Sequence, residues 1–199
     1  MVWTTDITYL KVEGRTYYLC VVLDWASREV LGYSIGRNMT VELCHDALTM
    51  ALSGGRKPEI LNTDQGSQYT SESWLSRVRL LGITPSMDGK GSWRDNVRME
   101  RFWRTYKYEL FSLYDDVTLK AIEERLKTWI RYYNSERVHS ALGNKTPEEW
   151  RKEHQSAACP PIRRNFLAIF PLRRGSLRYA PGSRCARHAH AFAPKSPKN

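Results

Sequence analysis

The chain has 199 residues, of which 41% are hydrophobic and 12% aromatic, enough apolar surface for one packed domain with an extension. No apolar run approaches the ~18 residues that cross a membrane, and no basic stretch followed by an apolar one opens the chain as a secretory leader would. The four cysteines (Cys20, Cys44, Cys159 and Cys185) form no CxxC pair, which fits a reducing, cytoplasmic setting.

The net charge of +10 is unevenly spread. Residues 156–199 hold nine Lys or Arg and no Asp or Glu, which leaves 22 basic and 21 acidic residues in 1–155. The division expected is a folded core over 1–155 and a basic, disordered tail over 156–199. Six of the nine prolines and the pairs Arg163-Arg164 and Arg173-Arg174 lie in that tail, a composition that argues against a packed domain. Basic tails of this kind commonly meet nucleic acid.

In chain order, residues 2–12 and 16–24 read as strands, with Glu13-Gly14-Arg15 as the hairpin turn between them. Tyr17–Leu23 is near-continuously apolar and β-prone, as in a strand covered on both faces. A third strand over Glu29–Arg37 follows the turn Asp24–Ser27, and three strands in a row imply an antiparallel meander. The period then changes. Leu43, Cys44, Ala47, Leu48 and Ala51 share one helical face, after Thr40 as N-cap and before Gly54-Gly55 as a stop.

Glu59–Asn62 is a short strand. Ser71 caps a helix with the apolar face Trp74, Leu75, Val78 and Leu81, closed by Gly82. Ile83–Ser86 is again extended, and Asp88–Arg94 is a loop. Helices are expected over 95–110 and 118–134. Thr146-Pro147-Glu148-Glu149 carries a capping box with Pro at the first helical position, so a last short helix starts there.

Three carboxylates stand out against this frame. Asp6 lies inside a strand pattern, where Asp is depleted. Asp64 follows a short apolar strand and precedes Gln65-Gly66-Ser67. Glu100 follows Asp64 with 35 residues between them and lies beside the apolar seam Met99, Trp103, Tyr106 and Leu110. Each has an ordinary local reading. Asp6 could sit at an edge or turn, Asp64 could close an Asx-turn, and Glu100 could pair with Arg104 four residues on.

Read together, they are three acidic groups from separate elements that meet to hold two Mg²⁺ or Mn²⁺ ions for phosphodiester chemistry. Such hard ions take oxygen ligands, and a pair of them stabilises both the attacking and the leaving oxygen. Asn96, Arg104 and Lys107 share the helical face of Glu100 and are candidate phosphate contacts. Lys90, in a glycine-flanked loop, can follow a DNA strand. Asp24 opens a turn, and Asp95 is a helix N-cap. Cys185, His188 and His190 lack a fourth ligand at zinc spacing.

Five segments carry a resemblance: WTTDITY (3–9), VVLDWASREVLGY (21–33), TDQGSQYTS (63–71), SMDGKGSWRDNVRMERFWRTYKYE (86–109) and YYNSERVHSALGNKTPEEW (132–150). They resemble the retroviral-integrase-like DDE transposases, in particular the second open reading frame product of a widespread group of bacterial insertion sequences. The resemblance implies an α/β, ribonuclease-H-like fold, a mixed five-stranded sheet flanked by helices. It implies Asp6, Asp64 and Glu100 as catalytic and metal-binding residues, with Mg²⁺ or Mn²⁺ as cofactor. Arg104 and Lys107 fall where related integrases contact DNA, and Arg137 and His139 belong to the YN–R–H–LG–TP block, with His139 packing or touching phosphate.

The implied activity is DNA cleavage and strand transfer during transposition. The partners are transposon ends and target DNA, with a homo-oligomer on DNA. Family members carry a helix-turn-helix-like segment before the first catalytic strand, and here that strand begins at once. End recognition is therefore expected from a longer product or an upstream-frame protein. Where the family usually reads Ser-Phe-Phe after the Glu, this chain reads Arg101-Phe102-Trp103. The alternatives are a remnant that only binds DNA and a ribonuclease-H-like nuclease acting on RNA–DNA hybrids. The full triad disfavours the first, and the YN–R–H–LG–TP block disfavours the second.

Overall fold

The β-prone residues of the first 36 positions form the meander expected of them. The computed structural model describes residues 1–12, 14–87, 97–110 and 118–155. Strands β1 (Val2–Val12), β2 (Arg15–Asp24) and β3 (Val30–Gly36) pair antiparallel. After helix α1 (Val41–Ser53), strand β4 (Ile60–Thr63) joins β1 in parallel. Helices α2 (Ser67–Thr70) and α3 (Glu72–Leu80) lead to β5 (Thr84–Met87), parallel to β4. The sheet order is β3-β2-β1-β4-β5, the mixed five-stranded sheet expected from sequence. Helices α4 (Val97–Glu109) and α5 (Leu119–Ser135), a 3₁₀ turn (Ser140–Leu142) and helix α6 (Pro147–Gln155) follow.

Helices cover the sheet on both faces. One apolar layer joins Leu19, Val21 and Leu23 to the inward faces of α4 and α5, Met99, Phe102, Tyr106, Leu126 and Trp129 among them. The other joins Trp3, Cys20 and Val22 to α1 and α3 through Cys44, Leu48, Trp74 and Val78. This double coverage explains why β2 reads as a continuous apolar run rather than an alternating one. Close packing of α1 on β3 depends on Gly32. A Cβ there would lie 2.4 Å from the Ala47 carbonyl oxygen and 2.5 Å from the Ala51 nitrogen.

Local capping follows the sequence in two places. Ser71 accepts from the Trp74 N–H at 3.2 Å. In the capping box, the Glu149 N–H donates to Thr146 Oγ1 at 3.1 Å and the Thr146 N–H donates to Glu149 Oε2 at 2.9 Å. Thr40 stands at the N-cap of α1 without a side-chain hydrogen bond to the backbone of the first turn. The short helix α2 has no counterpart in the sequence reading; a single turn carries too little periodicity to show. The expected start of α4 at Asp95, the loop over Asp88–Arg94 and the tail 156–199 lie outside the described residues.

Long-range polar contacts lock the frame. Asn134 on α5 acts as a surrogate strand at the edge of β3. Its Oδ1 accepts from the Val30 N–H and its Nδ2 donates to the Val30 carbonyl, both at 2.9 Å. Glu29 Oε2 receives Arg56 at 2.8 Å and Arg151 at 2.9 Å, which ties α6 and the approach to β4 to the start of β3. After α5, Gly143 (φ 69°) and Asn144 (φ 59°) turn through the left-handed region, so that His139 and Lys145 can pair. Among the described residues no helix is long and apolar enough to cross a membrane.

Candidate active site

The strand order reverses between β1 and β4: β1 continues into β2 and β3 on one side, β4 into β5 on the other. In sheets covered by helices, ligands collect at such a switch point, beyond the carboxyl ends of the strands. Asp64 follows β4 directly. The parallel register sets Val2 beside Ile60, Trp3 beside Leu61 and Thr4 beside Asn62. The pairing ends at Thr4 and Asn62, two positions before Asp6 on the one strand and two before Asp64 on the other. The two aspartates thus flank the switch point although 57 residues separate them in sequence.

Each aspartate is already oriented by protein donors. Asp6 Oδ1 accepts from the Ile7 N–H at 2.8 Å, and Asp6 Oδ2 from the Trp103 indole Nε1 at 2.9 Å. Asp64 Oδ1 accepts from the Gly66 N–H at 2.8 Å, the Asx-turn that the DQG sequence allows. A Cβ at residue 66 would stand 2.9 Å from that same oxygen, so glycine leaves room for the carboxylate. The next residues of this motif anchor it from below. Tyr69 is buried, with its hydroxyl 3.3 Å from Thr5 Oγ1 and 3.7 Å from Cys20 Sγ. Thr5 points to this side of the sheet and Asp6 to the other, as alternation along a strand requires.

Trp103 also places Glu100. The two residues lie three apart on α4, on neighbouring parts of its surface, so the contact from Trp103 to Asp6 carries the helix to the switch point. Glu100 is exposed in the first turn of α4. Neither Glu100 nor Arg104 has an ion-pair or hydrogen-bond partner among the described residues, so the local Glu100–Arg104 pair is not formed.

Tight convergence of the three carboxylates, as expected from sequence, is not seen. Among the described residues no three His, Cys, Asp or Glu side chains gather closely enough to hold a metal ion. Asp6 and Asp64 turn oxygens toward their indole and backbone donors, and Glu100 extends into solvent. The chemistry of the donor set nonetheless fits a hard divalent ion: carboxylates from β1, from the end of β4 and from α4. The described cysteines, Cys20 and Cys44, are buried in the opposite apolar layer.

The basic candidates fall in three places. Arg104 and Lys107 are exposed on α4, with Lys107 Nζ 5.7 Å from the centre of the Tyr9 ring. Arg137 is held by Glu109 at the end of α4. Its Nε lies 2.8 and 3.0 Å from the two carboxylate oxygens, and its Nη2 lies 2.7 Å from Oε1. His139 is buried, with its ring edge-on to Tyr133 at 4.9 Å. Burial, then the Arg137 and Arg28 guanidiniums, push its pKa down to about 4, so the imidazole is neutral at pH 7. Lys90, Asn96 and Asp95 lie outside the described residues. Asp24 holds its turn, accepting at Oδ1 from the Ala26 N–H, the Ser27 N–H and the Ser27 hydroxyl.

Two family models described as integrase core domain match this chain, over residues 1–92 and 81–147. The transposase for insertion sequence element IS904 of Lactococcus lactis is 38% identical over 155 residues, 76% of this chain and 61% of that protein. Transposase InsF for insertion sequence IS3A of Escherichia coli K12 is 34% identical over 155 residues, 76% of this chain and 54% of that protein. The chain therefore spans between about half and three-fifths of the length of these relatives.

The catalytic core domain of HTLV-2 integrase, solved in complex with magnesium in a trimeric form, superposes with a TM-score of 0.54 at 22% identity. The match covers 74% of this chain and 93% of that one, and it identifies the fold as ribonuclease-H-like. Sheet order, helical coverage and sequence all point the same way: the chain is similar to transposases of bacterial insertion sequences, and it belongs to the integrase core domain family, whose two models together span residues 1–147.

Proposed function

We propose that this chain is the catalytic core of a DDE transposase, cutting DNA and joining strands in a divalent-metal-dependent reaction. The observation that carries the reading is the meeting of β1, β4 and α4 at the switch point. There Asp6 lies on β1, Asp64 follows β4, the parallel neighbour of β1, and the Trp103 indole donates to Asp6 from the helix of Glu100. Asp6, Asp64 and Glu100 are the residues that would hold Mg²⁺ or Mn²⁺, two ions in this reading. Bound there, the metal would supply Lewis-acid stabilisation of the charge that builds on phosphodiester oxygens.

The protein's own residues orient and bind. Trp103 and the Ile7 amide fix Asp6, the Gly66 amide fixes Asp64, and Tyr69 props the loop between them and α3. Arg104 and Lys107, exposed on the α4 surface near Glu100, contact DNA phosphates, with Lys90 and Asn96 ahead of them in sequence. Arg137 and His139 support the same surface, Arg137 through its fork on Glu109 and His139 as a neutral group.

We further infer that transposon ends and target DNA are the substrates, bound by a homo-oligomer. End recognition comes from sequence beyond these elements or from an upstream-frame partner. The nine Lys and Arg of residues 156–199 add non-specific DNA affinity. Action in the bacterial cytoplasm, at the nucleoid, follows from this reading.

The test uses a branched duplex in which strands are already joined, so that end recognition is not needed. Mg²⁺-dependent resolution of this substrate by the 199-residue chain should vanish in Asp64→Asn, which keeps the side-chain shape, while the urea unfolding midpoint stays near that of the parent. A variant that resolves the branch at the parent rate removes Asp64 from the site.

A further inference from the structure

On the flank of α4 turned away from Trp103 and Asp6, a cavity of about 550 Å³ opens between α4, the β2–β3 turn and the segment after α5. Its charged lining is almost wholly arginine: Arg28 from the turn, Arg98, Arg101 and Arg104 from α4, and Arg137 beyond α5. Three sequence segments far apart in the chain are folded together to make it.

Among the described residues, Arg137 alone of this cluster has an ion-pair partner. Asp24 is the one acid in the lining, and its Oδ1 serves the turn. Glu109 is occupied by Arg137. Among the described residues, Arg28, Arg98, Arg101 and Arg104 have no ion-pair partner. Arg98 instead lies over the Trp25 ring at 4.8 Å. Arg28 Nε is buried without a hydrogen-bond acceptor. Arg28 also sits at φ 64°, a left-handed backbone that non-glycine residues adopt at a cost and that clusters at functional sites.

The guanidiniums feel one another. Burial, then Arg28, brings Arg98 down to about 10, and burial foremost lowers Arg28, with Arg101 adding to it. Gathering like charges in a half-enclosed space is unfavourable unless an anion completes it. The guanidinium fork matches phosphate oxygens two at a time.

We infer that this cavity is a phosphate-binding site that takes a backbone phosphate of a nucleic-acid strand. The inference rests on the reading of the chain as a DNA-acting enzyme and extends it. Helix α4 meets phosphates near Glu100 through Lys107 and, on its other flank, through Arg28, Arg98 and Arg101. The cavity volume suits one nucleotide unit rather than a duplex. The same guanidiniums would accept a free oligophosphate, so the experiment separates the two sources.

Binding of a fluorescent duplex to the full 199-residue chain is measured in EDTA across a salt series, so that cleavage plays no part. The double variant Arg28→Asn/Arg101→Gln, with Asn chosen because it tolerates the left-handed backbone, should bind about tenfold more weakly at fixed salt. Its slope of log K against log salt should be shallower by about 0.9, the value of one lost phosphate contact. Arg101→Lys should keep the parent slope, as should Arg79→Gln on α3. Should the turn variant fail to fold, Arg101→Glu alone, at an exposed position of α4, is read for the same loss.

An unchanged slope in a folded variant overturns the inference while leaving the proposed function standing. A parent chain that binds no DNA overturns the reading beneath it. In a second arm, inorganic pyrophosphate is added in thermal unfolding. Stabilisation of the parent that is lost in the variant, together with an unchanged DNA slope, assigns the cavity to a free oligophosphate and overturns the nucleic-acid assignment.

Discussion

Replacing Trp103 with Phe tests the contact on which the placement of Glu100 depends. The indole N–H donates to Asp6 Oδ2 at 2.9 Å across 97 residues of sequence, and Trp103 is 8% exposed. A hydrogen bond to a charged group in such a setting is worth about 1.5–3 kcal/mol. Phe keeps the edge contacts to Phe102 at 5.0 Å and to Tyr106 at 6.2 Å, but leaves a small void that costs about 1 kcal/mol more. The single variant should therefore lose about 3 kcal/mol, only part of it owed to the hydrogen bond.

A double-mutant cycle separates the parts. Trp103→Phe, Asp6→Ala and the combination are unfolded in urea at pH 7 beside the parent, and the coupling energy should come to about 2 kcal/mol. A coupling below about 0.5 kcal/mol would mean that the indole does not hold Asp6. Helix α4 would then lose the tie that brings Glu100 to the switch point, and the three-carboxylate site would lack its structural basis.

Two other outcomes follow from the packing. Gly32→Ala drives a Cβ into the α1 backbone at 2.4–2.5 Å, which side-chain rotation cannot relieve. The variant should lose at least about 2 kcal/mol in urea unfolding, and parent-like stability would show that α1 packs further from β3 than described. His139 has a folded pKa of about 4 against its ordinary 6.5. The unfolded chain therefore takes up the proton first, and the contribution of His139 is complete above pH 6.5 and is lost as pH falls toward 4. Parent stability should drop by on the order of 2 kcal/mol across that window, after allowance for solvent screening. His139→Phe should flatten the drop, and an equally steep profile in the variant would place the effect on other groups.

The elements themselves were legible in the residues. The meander, the helical face of α1 and the caps at Ser71 and Thr146 depend on neighbours a few positions apart, and a local pattern reports local structure. The motifs around Asp6, Asp64 and Glu100 likewise marked the family, and TDQGS correctly announced a turn. The reasons behind several motif residues were not legible. Tyr69 of TDQGSQY is kept by Thr5 and Cys20, and the Asn of the YN pair is kept by the backbone of Val30, 104 residues away. Arg104 and Arg137 were legible only as separate candidate contacts, and the cavity they line together with Arg28, Arg98 and Arg101 was not.

What the sequence by itself determined is therefore the longer elements, their order and the kind of chemistry the acidic residues can do. The tertiary structure alone decided the parallel pairing of β1, which carries Asp6, with β4, which Asp64 follows, the indole that ties α4 to Asp6, and the arginine-lined cavity on the other flank of that helix. The physical reason is the same in each case. These arrangements come from pairings between segments tens of residues apart, and the choice among such pairings is made by burial of the two apolar layers on the sheet as a whole, which no local window of sequence contains.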